Sequence, residues 1–440
     1  MMDPLFGTDG IRSRAGAYPL DEPSLLRLGA VIASLSPRPR VLFGRDTRES
    51  GPAIEAQLRR GLGRRARVFS AGVLPTPGLA FLTRESACDF GIMISASHNA
   101  YTDNGIKVFD RRGEKLPATL EKRISREFLS SRKRGPAAAA PPPTHLEPRA
   151  YESFLLGEGA GLENGGCRLA VDCANGAASS LAPDLFRRLG LNAAVAHARP
   201  DGRNINAGCG STQPAALQKL VAKHRAMLGL AFDGDADRVI FCDHRGRLLE
   251  GDHTLFLLAR YLRETEPRFN RVVVGTVMGN LGLERALRRA GIAFLRSDVG
   301  DKHVLRLMRK SGAILGGEPS GHVILRHRQS SGDGLLTALY FMKALRHFAW
   351  DAAELGERLS LFPQRTLSIR VGRKPDLRRW PAFARQAACF ASRHGRRARL
   401  LARYSGTEPK LRIMIEARDP EIIDRTMPVF QSLVENEIGE

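Results

Sequence analysis

Residues 91–109, GIMISASHNAYTDNGIKVF, bring a hydroxyl, an imidazole, an amide and an amine together within twenty positions. The apolar run Gly91 to Ile94 reads as a buried strand that stops at Ser95-Ala96-Ser97-His98-Asn99. A strand ending in small hydroxyls places a reactive group at a sheet edge, where open α/β sheets build their sites. Ala96 leaves room for a bulky group on the Ser97 oxygen, and His98 and Lys107 add donors or positive charge. Asp103, Asn104 and Gly105 read as a turn, with Lys107 at the mouth of the next apolar stretch. A second centre follows the apolar run in MLGLAFDGDADRVIF (227–241), where Asp233, Asp235 and Asp237 alternate and Arg238 comes next. Three carboxylates so close repel one another unless a cation sits among them. Oxygen-only donors favour a hard ion such as Mg²⁺. An EF-hand is excluded, because Arg238 stands where its loop needs glycine and His244 where it needs glutamate.

Three further loops carry polar groups suited to a phosphorylated or hydroxylated ligand. In FGTDGIR (6–12), Arg12 can make a two-pronged contact to a phosphate. GAILGGEPSGHVIL (312–325) ends a strand in Glu318, Ser320 and His322, a set suited to sugar hydroxyls, and SDVGDKHV (297–304) adds Lys302. In RYSGTEPKLRIMIEA (403–417), Arg403, Ser405, the amides around Gly406, Thr407 and Arg412 can converge on an anion. No GxxxxGK[ST] phosphate loop occurs.

The elements that must position these groups alternate between strand, loop and helix, which predicts βαβ units and a largely parallel sheet. VLFGRDTRESG (41–51) reads as a strand running into a charged loop, then a helix through Ile54, Leu58 and Leu62. VLPTPG (73–78) opens another helix, and Leu120–Leu129 has helical spacing. GPAAAAPPPTHLEP (135–148) reads as a linker unable to support a strand. A second unit begins near Ala150 with the strand of RLAVDCANGAAS (168–179) and a helix over 181–190; NINAGCGST (204–212) is a loop without an evident role. A third begins near Gly251, with a helix over 253–264, a strand in RVVVGTVMGNLGLE (271–284) and a helix opened by GDGLL (332–336). A fourth follows Pro363, with the strand LSIRV (367–371) and a closing helix over 420–437 that Pro428 is expected to kink. The divisions are 1–148, 149–250, 251–364 and 365–440.

Composition narrows the class. A chain of 440 residues with 43% apolar and 26% charged residues is globular and multidomain. No apolar run approaches the roughly 18 residues of a membrane span, and MMDPLFGTDG is not a signal peptide. Six scattered cysteines without a CxxC pair predict reduced thiols that pack as small hydrophobes in a cytoplasmic setting, with neither a disulfide framework nor a zinc site expected. The 68 basic residues exceed the 46 acidic ones, for a net charge of +22, and thicken at 122–134 and 370–399. Such charge attracts anions. The 6% of aromatic residues do not interleave with the basic runs, so a single-strand stacking platform is not expected.

Taken in order, FGTDGIR, GRDTRESG, PTPG, ISASHNAYTDNGIKVF, VDCANGA, NINAGCGST, DGDADR, VGTVMGNLGLE, GGEPSGH, SGDGLL and RYSGTEPKLRIM cover nearly the whole chain. The set resembles the α-D-phosphohexomutase superfamily, and FGTDGIR and SGTEP look like its glucosamine branch. The resemblance implies an α/β fold of three related domains and a smaller α+β C-terminal domain around a central cleft. It implies conversion of glucosamine 6-phosphate to glucosamine 1-phosphate, feeding UDP-N-acetylglucosamine synthesis. Ser97 would be a phosphoserine, with one Mg²⁺ per subunit on Ser97, Asp233, Asp235 and Asp237, and glucosamine 1,6-bisphosphate as intermediate and activator. Arg12, His98 and Arg238 would support the transfer, and Lys107, its pKa lowered by neighbouring arginines and partial burial, would move the proton, with His322 as the alternative. Glu318, Ser320 and Lys302 would read the sugar; Arg403, Ser405, Gly406, Thr407 and Arg412 would hold the phosphate. The implied partner is a phosphosugar, with no nucleic acid or membrane, in a monomer or homodimer. Ala100, Lys302 and Pro319 depart from the commoner proline, arginine and glutamine. The rivals are a phosphomannomutase or phosphoglucomutase of the same superfamily and a non-catalytic polyanion-binding protein that kept the fold.

Overall fold

The computed structural model describes residues 5–7, 9–130, 142–163, 167–405 and 408–439. The chain separates into two units, Met1–Met278 with Ala290–Arg358, and Gly279–Arg289 with Leu359–Glu440. No helix among the described residues is long and apolar enough to cross a membrane.

The first unit holds three sheets. The first contains β1 (Ile11–Arg14), β2 (Arg40–Arg45), β3 (Arg67–Val73), β4 (Phe90–Ile94), β5 (Asp103–Asp110) and β6 (Thr144–His145), in the order β1-β5-β4-β2-β3-β6. β4, β2, β3 and β6 run parallel, whereas β5 is antiparallel to both β4 and β1. Two expectations change here. Asp103–Gly105 are the start of β5, not a turn; the reversal lies just before, where the amide of Asp103 donates to the carbonyl of Ala100 at 3.1 Å. The end of the expected linker supplies an edge strand, since Thr144 and His145, between the proline run and Pro148, pair with Phe69 and Ser70; its residues 135–141 lie outside the described residues. The helices Glu22–Ser34 and Gly51–Leu62 pack against each other at two glycines. A Cβ on Gly29 would meet the Leu58 carbonyl at 2.3 Å, and one on Gly61 the Leu26 carbonyl at 2.2 Å.

The second sheet contains β7 (Leu169–Asp172), β8 (Ala193–Ala196), β9 (Leu228–Phe232), β10 (Val239–Asp243) and β11 (Leu248–Leu249), in the order β11-β10-β9-β7-β8. β9, β7 and β8 are parallel, and the fully buried apolar β9 suits a strand covered on both faces. The helix expected over 181–190 is shorter, Ala182–Arg188. The third sheet, β12 (Val272–Thr276), β13 (Ala293–Ser297), β14 (Leu315–Gly317) and β15 (Val323–Leu325), has the order β13-β12-β14-β15, with β15 alone antiparallel. The helix Gly334–Phe348 that follows is capped by Asp333, whose Oδ1 accepts from the Leu336 amide at 2.9 Å.

The second unit has β16 (Gln364–Arg370), β17 (Ala398–Tyr404) and β18 (Lys410–Ala417), all antiparallel in the order β16-β18-β17. The helices Pro381–His394 and Pro420–Ile438 complete its own core through Phe383, Phe430 and Val434 around Ile413 and Ile415. Pro428 lies inside the last helix without ending it.

Candidate active site

The groups singled out around Ser97 and the aspartates converge at the edge of the first two sheets. Ser97 follows β4 in a left-handed conformation, φ 53°, which a side chain rarely adopts without support. The support is a buried arginine. Arg48, in the middle of the charged loop after β2, donates through Nη2 to the carbonyls of Ser97 and Asn99, each at 2.9 Å. Its Nη1 reaches the carbonyls of Asp103, at 3.0 Å, and Ala100, while Nε pairs with Asp46 at 2.9 Å. Asp46 in turn accepts from the Ser95 hydroxyl at 2.6 Å, and Ser95 Oγ accepts from the Ser97 amide at 2.9 Å. Asn206, in the loop without an assigned role, donates to the same Ser97 and Asn99 carbonyls at 2.9 and 3.1 Å. Ala100 therefore sits in a loop held by backbone hydrogen bonds to a fixed guanidinium, whatever its own ring-free φ permits.

The Ser97 hydroxyl is fully buried and donates to Asp233 Oδ2 at 2.5 Å. The loop carrying the aspartates approaches the serine loop so closely that a Cβ on Gly234 would meet the Ser97 carbonyl at 2.4 Å. Oxygens of Asp233, Asp235 and Asp237 lie within 4.8 Å of one another, all three residues buried. Lys107 on β5, opposite Met93 of β4, inserts its ammonium among them, 2.8 Å from Asp235, 3.2 Å from Asp237 and 3.1 Å from Asp9. Burial alone would lower the Lys107 pKa, but these carboxylates outweigh it and hold it well above the ordinary value. The expected lowering thus reverses: acids, not arginines, are the nearest charges. Burial, then Asp237 and Asp235, push the Asp233 carboxyl well above the carboxylate range. Burial opposes the charge on Asp237 too, yet Lys107 and His322 keep it well below that range. Asp235 Oδ1 and Asp237 Oδ1 are buried and accept no hydrogen bond among the described residues. Spare buried carboxylate oxygens, all hard donors, fit a bound divalent ion.

Positive charge rims this centre. Arg12 on β1 pairs with Asp9 and reaches Asn99 Oδ1 at 3.4 Å. Arg238 donates its amide to Asp233 at 3.2 Å and lies 3.6 Å from Asp237. His98 Nδ1 is 3.4 Å from Ser97 Oγ; burial, then Arg238 and Arg12, lower its pKa to about 4, so it is neutral near pH 7. His322 lies 3.5 Å from Asp237 and 3.7 Å from Asp301; burial works against its charge, but Asp237 raises its pKa. A cavity of about 130 Å³ opens among Asp9, Lys115, Asp237, Arg238, Glu318 and His322. Glu318 is fixed there by the Gly300 amide at 3.0 Å. Ser320 is exposed, and Lys302 pairs with Glu121. Lys115 bridges Asp9 and Asp301.

In the second unit, Arg403 on β17 faces Arg412 on β18 directly. Like charges facing across two strands repel, and an anion between them would relieve that. Glu408 takes part of the load, 3.2 Å from Arg412. Ser405, nearly buried, donates its amide to the Lys410 carbonyl at 2.8 Å. Gly406 and Thr407, like Thr8 of FGTDGIR, lie outside the described residues.

Arg48, Asp46, Asn206, Asp9 and Lys115 went unassigned in the sequence. Signals for the first four were there, in GRDTRESG, NINAGCGST and FGTDGIR, but a buried arginine and a surface one read alike until the fold closes over one of them; Lys115 lies in none of those motifs.

Three α/β units joined to a small antiparallel domain, with a buried serine facing paired acids, define a multidomain α/β enzyme. The chain belongs to the phosphoglucomutase/phosphomannomutase family: profiles of its α/β/α domains I, II and III match residues 3–135, 158–246 and 250–362, and that of its C-terminal domain matches 370–430. Among curated relatives, a phosphoglucosamine mutase of Solibacter usitatus is 43% identical over 100% of both chains. One of Thermus thermophilus is 44% identical over 94% of each. A phosphoglucomutase/phosphomannomutase family protein of Burkholderia thailandensis has the same fold, with a TM-score of 0.81 at 23% identity over 100% of both chains. So has an N-acetylphosphoglucosamine mutase of Aspergillus fumigatus solved with GlcNAc-6P and magnesium, at TM-score 0.67 and 18% identity, over 96% of this chain and 93% of that one.

Proposed function

We propose that the protein is an isomerase that converts α-D-glucosamine 6-phosphate to α-D-glucosamine 1-phosphate through a phosphorylated serine and a 1,6-bisphosphate. The observation that carries it is the Ser97 hydroxyl, buried and 2.5 Å from Asp233 within a cluster of three acids. Phosphorylated Ser97 gives its phosphoryl group to the sugar 1-hydroxyl, forming the bisphosphate and freeing the serine. The intermediate turns over, and Ser97 Oγ takes the 6-phosphoryl group. Asp233, Asp235 and Asp237, with an oxygen on Ser97, are the residues that would hold Mg²⁺, which when bound neutralises charge on the phosphoryl group in flight. Arg12 and Arg238 stabilise the same charge, and neutral His98 lies 3.4 Å from Oγ without adding to it.

Lys107 is the first proposed carrier of the sugar hydroxyl's proton. To accept one it must first give one up, which the acids around it oppose, so it works only when those acids are otherwise neutralised. His322, between Asp237 and Asp301, is the second. Glu318, fixed on the Gly300 amide, accepts from sugar hydroxyls, and Ser320 and Lys302 complete that loop. In the C-terminal unit Arg403, Ser405 and Arg412, with Gly406 and Thr407, bind phosphate.

The test is a coupled assay over glucosamine, N-acetylglucosamine, mannose and glucose 6-phosphates, run with intact-mass measurement before and after phosphatase treatment. Turnover fastest with glucosamine 6-phosphate, and one removable phosphate on the Ser97 peptide, support the reading. A Ser97→Ala protein that isomerises at the parent rate overturns it.

A further inference from the structure

A second cluster of metal-binding groups lies in the middle unit, apart from the three aspartates. Asp172 ends β7, and His197 follows β8, the strand beside it; Asp172 and Ala196 are register partners. Both residues therefore emerge at the same end of two adjacent parallel strands, where such sheets place ligands. Cys209 arrives from the loop 204–210, tied there by its neighbour, since the Gly210 amide donates to Asp172 Oδ2 at 2.8 Å. A carboxylate oxygen, an imidazole nitrogen and the Cys209 sulfur all lie within 4.8 Å of one another.

We propose that Asp172, His197 and Cys209 form a second metal site, one that takes a thiophilic divalent ion such as Zn²⁺ in place of Mg²⁺. The mixed oxygen, nitrogen and sulfur donors match zinc, which accepts three protein ligands and leaves a fourth position open. Magnesium prefers oxygen alone and keeps its water, so the two clusters in one chain sort ions by softness. Charge agrees: one carboxylate and one thiolate balance a divalent ion, with the imidazole neutral. His197 Nδ1 is 3.0 Å from Asp172 Oδ1 yet buried without a hydrogen-bond partner. A ring placed only to pair with the carboxylate would aim its N–H along that line. Asp172 spends two of its lone pairs on the amides of Ala174, at 2.9 Å, and Gly210, which fixes the carboxylate as outer hydrogen bonds fix metal ligands. The His197 side chain is about one-third exposed (36%), so an ion has a path in. Burial and then Asp172 push the Cys209 thiol up to about 12, so the ion has to displace that proton and binding strengthens as pH rises.

The site does not depend on the proposed reaction, and its test leaves the reaction aside. The full-length protein is stripped with a chelator, placed in excess Mg²⁺ to occupy the aspartates, and titrated with Co²⁺ and, against a chromophoric chelator, with Zn²⁺. One Co²⁺ per chain with a thiolate-to-cobalt charge-transfer band is expected. His197→Ala, partly exposed and safe for folding, and Cys209→Ala each weaken Zn²⁺ binding by more than roughly tenfold. Asp235→Asn and Cys389→Ala keep it. Unchanged Zn²⁺ affinity in His197→Ala, binding lost in Cys389→Ala, or no thiolate band in the parent overturns the proposal.

Discussion

At the scale of single residues, Lys107 decides how the acidic cluster is tolerated. Its buried ammonium touches Asp235 and Asp237 at 2.8 and 3.2 Å, the role a bound cation would otherwise fill. Removing one partner of such a group leaves uncompensated buried charge and costs about 3–5 kcal/mol. Lys107→Met should therefore unfold well below the parent in chelator, by about that free energy, and recover most of the loss in excess Mg²⁺. Thermal denaturation of both proteins, with and without the ion, measures it; equal losses in both media would mean that the acids do not share a cation site. Arg48 is the second case. Its guanidinium satisfies four carbonyls of residues 97–103 and one buried acid. Arg48→Met should cost several kcal/mol, of the order seen when buried charge networks are broken, and should speed hydrogen exchange in 95–104 before any other segment. Ser97 and the three aspartates were singled out by the ordered set of motifs along the chain, since a polar turn explains the Ser97 loop alone equally well. Arg48 was not: nothing in GRDTRESG says which arginine the fold will bury.

At the scale of elements, the helix Gly334–Phe348 shows how packing converts a cap into a pH sensor. Asp333 caps it, and the Tyr151 hydroxyl, from the helix Arg149–Gly159, donates to the same carboxyl at 2.9 Å. Burial raises the Asp333 pKa to about 6, above the model-peptide value of 3.8, although its hydrogen bonds oppose the shift. The folded state thus binds this proton more tightly than the unfolded one. The stability it contributes is complete below about pH 4 and is lost as pH rises through about 6. A shift of about two units corresponds to up to about 3 kcal/mol. Asp333→Asn keeps an acceptor for the Leu336 amide, turns its Nδ2 donor to the Tyr151 oxygen, and cannot ionise. The parent should lose stability relative to it between pH 4 and 7, by urea denaturation at stepped pH; a constant difference would refute the account. The pattern of alternating strand and helix was legible, because continuous apolar runs such as β9 are hard to place except in a covered parallel sheet. The antiparallel β5 was not, because Asp103, Asn104 and Gly105 carry a turn's composition. Their pairing with Arg14, Ser13 and Arg12 of β1 is what makes them a strand, and no local pattern reports a partner some ninety positions away.

At the scale of the whole molecule, the net charge of +22 is the property that no single motif explains. Many of the basic residues pair locally, as in Arg112 with Asp110 or Arg425 with Glu421, and such exposed pairs contribute little to stability. The excess acts at longer range, attracting anions to the surface as a whole and so favouring encounter with a phosphorylated sugar more than its later chemistry. The buried groups near Ser97 are shielded from solvent ions, whereas exposed arginines are screened over a Debye length of about 10 Å at 0.1 M salt and about 3 Å at 1 M. Raising salt from about 0.05 to 0.5 M, with Mg²⁺ held in excess, should lower kcat/KM for glucosamine 6-phosphate severalfold and leave kcat nearly unchanged. The difference separates capture from turnover. If kcat fell in step with kcat/KM, the charge would be acting on the reacting groups; if neither moved, it would serve something other than drawing the phosphosugar in.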